Sequence, residues 1–145
     1  MNDAESHYRK LERLYLQAPV NQYYRPTIRI AEGEAEVGID ARPDLLHAGG
    51  AVHGSVYFKL LDDSCFFAVN SVVPDVFVLT ASFSVYLTRP VTEGGMVGIG
   101  KVVHSGSRMF IAEGQVVDQS GRIVGRGSGS FMRSDIVLNE RVGYV

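Results

Sequence analysis

Two adjacent carboxylates, Asp62 and Asp63, stand inside an almost wholly apolar helix candidate, "HGSVYFKLLDDSCFFAVNS", residues 53–71. Ionised carboxylates are rarely buried unless something compensates them. On a helix the neighbours of a residue lie three and four positions away. Asp63 has Lys59 at i−4, a local charged partner. Asp62 has Phe58 at i−4, Phe66 at i+4 and Cys65 at i+3, with Lys59 at i−3 as a possible second partner. Asp62 therefore faces the more apolar surroundings. Burial there raises the pKa of a carboxyl, which suits a general base or a nucleophile held out of bulk water. The opposite reading stays open: Asp62 on a solvated strip or at a dimer contact, with Asp63 or neither residue doing chemistry.

Gly54 opens the same helix candidate. A helix N-terminus leaves free N–H groups and a partial positive charge, which together can stabilise an oxyanion. A glycine there admits close approach of a ligand to the backbone. The plainer reading, a tight loop-to-helix turn, is compatible with it. His53, just before, reads as a cap or packing residue in preference to a substrate contact. His47 lies in a glycine-rich loop. With His7 and His104 these histidines have no zinc-type spacing, so no metal site is expected. No Gly-x-Ser-x-Gly elbow exists for a serine triad, and no Gly-rich phosphate loop of the nucleoside-triphosphate kind.

Elements around these residues must position them. The chain begins with a helix expected over residues 3–18: Asn2 and Glu5 are spaced as a capping box, Tyr8, Leu11, Leu14, Tyr15 and Ala18 recur at helical spacing, and Pro19 stops it. A strand near Tyr24–Ala31 and "EAEVGID" read as a hairpin through Gly33. Residues 42–52 form an irregular loop. Residues 54–70 form a helix hydrophobic all round, hence a core helix. Four strands follow: "VFVLTASFSVYLTRP", two strands within "GGMVGIGKVVHSGSRMFIAEGQVVD" joined at Ser105–Gly106, and "IVGRGSGSFMRS" after the turn "DQSGR". Four sequential strands joined by tight turns are expected to be antiparallel neighbours, with the buried helix on one face of a curved sheet, an α+β arrangement.

The composition limits the function classes. With 145 residues the chain fits one domain, 1–145. A formal net charge of −2 with scattered Lys and Arg gives no nucleic-acid footprint. The single cysteine, Cys65, allows no intrachain disulfide, which fits a cytoplasmic setting. The N-terminus has no apolar signal core, and the uncharged run 76–88 is too short for a membrane span of ~20 residues. No nucleic-acid or membrane partner is expected.

The order of elements, with "HGSVYFKLLD" giving His53, Gly54 and Asp62, resembles the hotdog fold, and more narrowly the phenylacetate-degradation-type acyl-CoA thioesterases. Their signature is an Asn-containing loop, a His-Gly-Gly at the start of the central helix, and an aspartate nine residues after the histidine. "SVYLTRP" is similar to their strand that closes with Arg-Pro, and "GRGSGSF" to their last strand. The resemblance covers roughly residues 20–134. Two positions depart: Ser55 replaces the second glycine, and His47 stands where Asn is usual.

The resemblance implies a long antiparallel sheet wrapped around one central helix, and a homodimer or homotetramer with its site between subunits. It implies hydrolysis of a small or medium acyl-CoA, aromatic ones included, with coenzyme A as part of the substrate and no cofactor. Asp62 of one chain would act against the His53–Gly54 helix start of the other, His47 would supply the polar role of the Asn, and Thr80 a hydroxyl that holds water. Thr80 reads equally well as an ordinary strand residue. Arg126 with Gly127, then Arg108 and Arg89, are candidates for the phosphates of coenzyme A, because a guanidinium bonds phosphate bidentately. Each is also a plain surface arginine. Two alternatives remain: a non-catalytic acyl-CoA-binding module, kept open by Ser55 and His47, and a hotdog enoyl-CoA hydratase, whose spacing this chain matches less well.

Overall fold

The computed structural model describes residues 2–145. Helix α1 (Asp3–Gln17) starts as its sequence requires, with the Asn2 side chain accepting a 2.8 Å hydrogen bond from the Glu5 N–H. Pro19 ends α1, but it also starts a second helix, α2 (Pro19–Tyr24). Proline fits a first helical position, where no N–H is needed. The strand expected from Tyr24 therefore begins later, as β1 (Thr27–Ala31), after Arg25 turns the chain through a left-handed conformation. It pairs antiparallel with β2 (Glu34–Asp40).

The central helix α3 (Gly54–Ser71) is buried along most of its length, from Val56 to Ser71. It carries the chain from β2 across one face of the sheet to the far edge. There β3 (Val76–Leu87) begins, followed by β4 (Gly95–Ser105), β5 (Met109–Val117) and β6 (Ile123–Val137). The strand order is β1-β2-β4-β5-β6-β3, all antiparallel. This is the helix-in-sheet arrangement of the hotdog fold. One expectation fails. β4, β5 and β6 are sequential neighbours, but β3 pairs with β6, because residues 88–94 are a crossover rather than a tight turn. The last strand also runs three residues beyond Ser134 and pairs to Val76 at its end.

The helix lies hard against the sheet because two positions of β4 have no side chain. A Cβ on Gly98 would come 2.4 Å from the Leu60 carbonyl oxygen, and one on Gly100 would come 2.5 Å from the Cys65 N. Neither obstacle can swing away, since both are helix backbone. Gly100→Val is expected to cost at least about 2 kcal/mol by overpacking, read as a lower urea midpoint at unchanged slope. An unchanged midpoint would mean that the helix does not sit this close. At the other end of α3, buried Asn70 donates to the carbonyls of Val73 and Val76 at 3.1 and 3.0 Å and accepts from the Val78 N–H at 3.1 Å. It thereby satisfies the backbone of the turn into β3.

The two sheet edges differ. β1 is covered by α1, and the Arg9 guanidinium donates to the Ile30 carbonyl at 2.6 Å. β3 has β6 on one side only, and Leu79, Tyr86 and Leu87 are exposed along it.

Candidate active site

Asp62 occupies the middle of α3 and is half-buried. Its Oδ1 accepts a 2.8 Å hydrogen bond from the Thr80 hydroxyl of β3. Thr80 reaches it because of a β-bulge: Thr80 pairs with Phe131 and Ser82 with Ser130, so Ala81 is an extra residue. The bulge shifts the alternation of β3 and turns both Thr80 and Phe83 toward the helix face. Burial pushes the Asp62 carboxyl up to about 6, against the lowering effect of the Thr80 hydrogen bond; the neighbouring Asp63 charge adds to the rise, and Lys59 opposes it. Phe58 packs edge-on to Phe83 at 5.7 Å, and Phe83 and Phe66 both meet Phe131, at 6.4 and 6.1 Å. Asp62 thus stands between aromatic side chains one turn before and one turn after it.

Asp63 differs as its spacing predicts. Its Oδ2 takes the Lys59 ammonium at 2.8 Å and also the Tyr15 hydroxyl at 2.6 Å. The tyrosine was not legible, since it lies 48 residues away in sequence.

His53 is the N-cap of α3: its Nδ1 accepts from the Ser55 N–H at 3.0 Å, and the Ser55 hydroxyl sits 2.8 Å from the same nitrogen. Ser55, one of the two departures from the motif, is thus part of the cap. His47, the other, is exposed and closes its own loop, its Nδ1 accepting from the Gly49 N–H at 2.9 Å. His47, Gly54 and Arg89 line one cleft of about 340 Å³ together with Tyr57, Leu87 and Pro90. A Cβ on Gly54 would come 2.9 Å from Leu87 Cδ1, the end of an exposed side chain that can turn aside.

The structure does not gather the other arginines there. Arg126 and Gly127 line a cleft on the outer sheet face with Lys101 and Glu113, and Arg108 lines another with Arg133 and Asp135. Nor does one chain bring Asp62 to its own helix start. Asp62 follows Gly54 by eight positions of helix, about 12 Å along the axis. Among the described residues no three His, Cys, Asp or Glu side chains converge as metal ligands would, and no helix is long and apolar enough to cross a membrane.

Among the aromatic residues of α3, Tyr57, Phe66 and Phe67 are core, and only Phe58 is exposed. Phe83, partly buried on the helix face of β3, was missed because the bulge reverses its expected side.

Comparison with known proteins agrees with this fold. The family model of the thioesterase superfamily matches residues 49–124. A protein of Saccharolobus solfataricus named "Putative esterase" is 24% identical over 104 residues, 72% of this chain and 74% of its own. Among solved structures, the E. coli PaaI protein from the phenylacetic acid degradation operon superposes with a TM-score of 0.84 at 18% identity, covering 94% of this chain and 99% of that one. A point mutant of the phenylacetic acid degradation protein PaaI from Thermus thermophilus gives 0.73 at 24% identity, covering 81% and 100%. At these identities the structural likeness is one of fold.

Proposed function

Because the chain belongs to the thioesterase superfamily, we propose that it hydrolyses an acyl-CoA thioester to a free acid and coenzyme A, with Asp62 as the reacting carboxylate. The observation that carries this reading is the state of Asp62: half-buried, without a salt-bridge partner among the described residues, hydrogen-bonded to Thr80, and shifted to about 6. Above that pH it is ionised and more basic than an ordinary carboxylate. It can take a proton from water, or attack the thioester carbonyl itself.

The oxyanion needs donors, and the free N–H groups at a helix start supply them. Asp62 and Gly54 of one chain are about 12 Å apart, so in this reading Gly54 of a second copy would complete the site. A homodimer formed through the open β3 edge would do this and cover Leu79, Tyr86 and Leu87. A long, apolar, unpaired edge is otherwise a liability. His47 would orient the carbonyl group or water at that helix start. Phe58 and Phe83 line the approach to Asp62 and suit an apolar acyl group, aromatic ones included. Arg89, which shares the cleft of Gly54 and His47, is placed better than Arg108 or Arg126 to meet a coenzyme A phosphate near the helix start.

A panel of short, medium and arylacetyl-CoA esters, assayed with a thiol-reactive dye, tests the reading. Thiol release from at least one is expected. Binding of acyl-CoA without release would assign the groove to carriage of the ligand instead. Within that assay Thr80 has its own signature. Its hydroxyl favours the ionised carboxylate, so Thr80→Val should move the acidic limb of kcat/KM to higher pH, with the largest fold-loss on the acidic side and little on the plateau. An unshifted limb would remove Thr80 from the site.

A further inference from the structure

Lys59 lies three residues before Asp62, at helix-neighbour spacing, and could serve either aspartate. The structure commits it to one. The ammonium is 2.8 Å from Asp63 Oδ2 and only 13% of its side chain is exposed. It lies over two aromatic rings, Tyr24 at 4.9 Å and Tyr15 at 5.5 Å from the centroids. The Tyr15 hydroxyl, itself buried, donates to the same Asp63 oxygen at 2.6 Å. Two helices outside the family-matched segment thus build a cage for one lysine: Tyr15 belongs to α1 and Tyr24 to α2.

We propose that Tyr15 and Asp63 act as positioning residues that hold Lys59 away from Asp62, so that the N-terminal helices keep the reacting carboxylate free of a counter-ion. The inference rests on the reading of Asp62 as the reacting group. A cation paired to Asp62 would hold it as a weak base and occupy the lone pairs that the reaction uses. The groups bearing on Asp62 are Thr80 from β3, Lys59, Asp63 and Cys65 from α3, and Tyr15 from α1; Glu113 of β5 is exposed on the outer sheet face. Lys59 is the one cation among them.

Tyr15→Phe is the discriminating variant, because it changes no charge near neutral pH. Carbon-13 NMR of labelled aspartate carboxyls reads Asp62 directly, with no need of turnover. Tyr15→Phe should lower the pH at which Asp62 titrates by roughly half a unit to one unit, as Lys59 becomes shared. The shift should vanish when Lys59→Met is also present, and Lys59→Met alone should move Asp62 upward. In turnover, Tyr15→Phe should lower kcat with KM unchanged and move the acidic limb down in step with the NMR value. An Asp62 titration unmoved by Tyr15→Phe, or moved equally in the Lys59→Met background, overturns the proposal. If the wild type releases thiol from no acyl-CoA, the proposed hydrolysis falls, while the carboxyl titrations still decide whether the cage exists.

Discussion

Asp62→Asn is expected to lower kcat for acyl-CoA hydrolysis by about 10²–10⁴-fold, the usual worth of a positioned acid–base group, and to leave the oligomeric state unchanged. Asparagine has the shape of aspartate, and its amide oxygen can still accept the Thr80 hydroxyl, so the 2.8 Å contact has a replacement. What it cannot do is take a proton from water or form an acyl intermediate. The matching change one residue on, Asp63→Asn, removes no group that meets substrate and should cost much less. Wild-type turnover in Asp62→Asn would move the chemistry to another residue.

The same substitution should make the protein more stable at neutral pH. Burial raises the folded-state pKa of Asp62 from 3.8 to about 6. A raised value means that the folded state holds the proton more tightly than the unfolded one. The contribution of Asp62 is therefore fully present below its ordinary range and is lost as pH rises through about 6. The difference between those values corresponds to about 3 kcal/mol. Urea unfolding of wild type against Asp62→Asn should show near-equal stability around pH 4, and a gap opening in favour of asparagine that levels off above pH 6. A gap that is absent or reversed at pH 7.5 would mean that Asp62 is not desolvated. Activity and stability thus run in opposite directions at one residue, as expected where a site keeps a costly group for its chemistry.

Local periodicity made much of this legible. Asn2 and Glu5 announced the first cap, and Lys59 and Asp63 announced their ion pair. The apolar neighbours of Asp62 pointed to the pKa direction that burial produces. Each involves residues within four positions, where helix geometry dictates contact. The strand order was not legible, because a helix that crosses the sheet can deliver the chain to either edge. The bulge at Ala81 was missed for a related reason: an alternating pattern reads as unbroken until the partner strand shows an extra residue. Tyr15 on Asp63 and Asn70 in the turn before β3 are tertiary contacts that spacing cannot reveal. Arg108 and Arg126 show what residue type alone cannot place: the fold sends these two arginines to separate clefts.

Thiol release from the acyl-CoA panel, followed as a function of pH for wild type and Asp62→Asn side by side, tests the central claim most directly. For the best substrate, kcat/KM is expected to rise through a single ionisation near pH 6 to a plateau, and asparagine is expected to remove the plateau. Acyl-CoA bound without thiol release at any pH, or a plateau that survives in Asp62→Asn, would contradict the assignment of Asp62 as the reacting carboxylate.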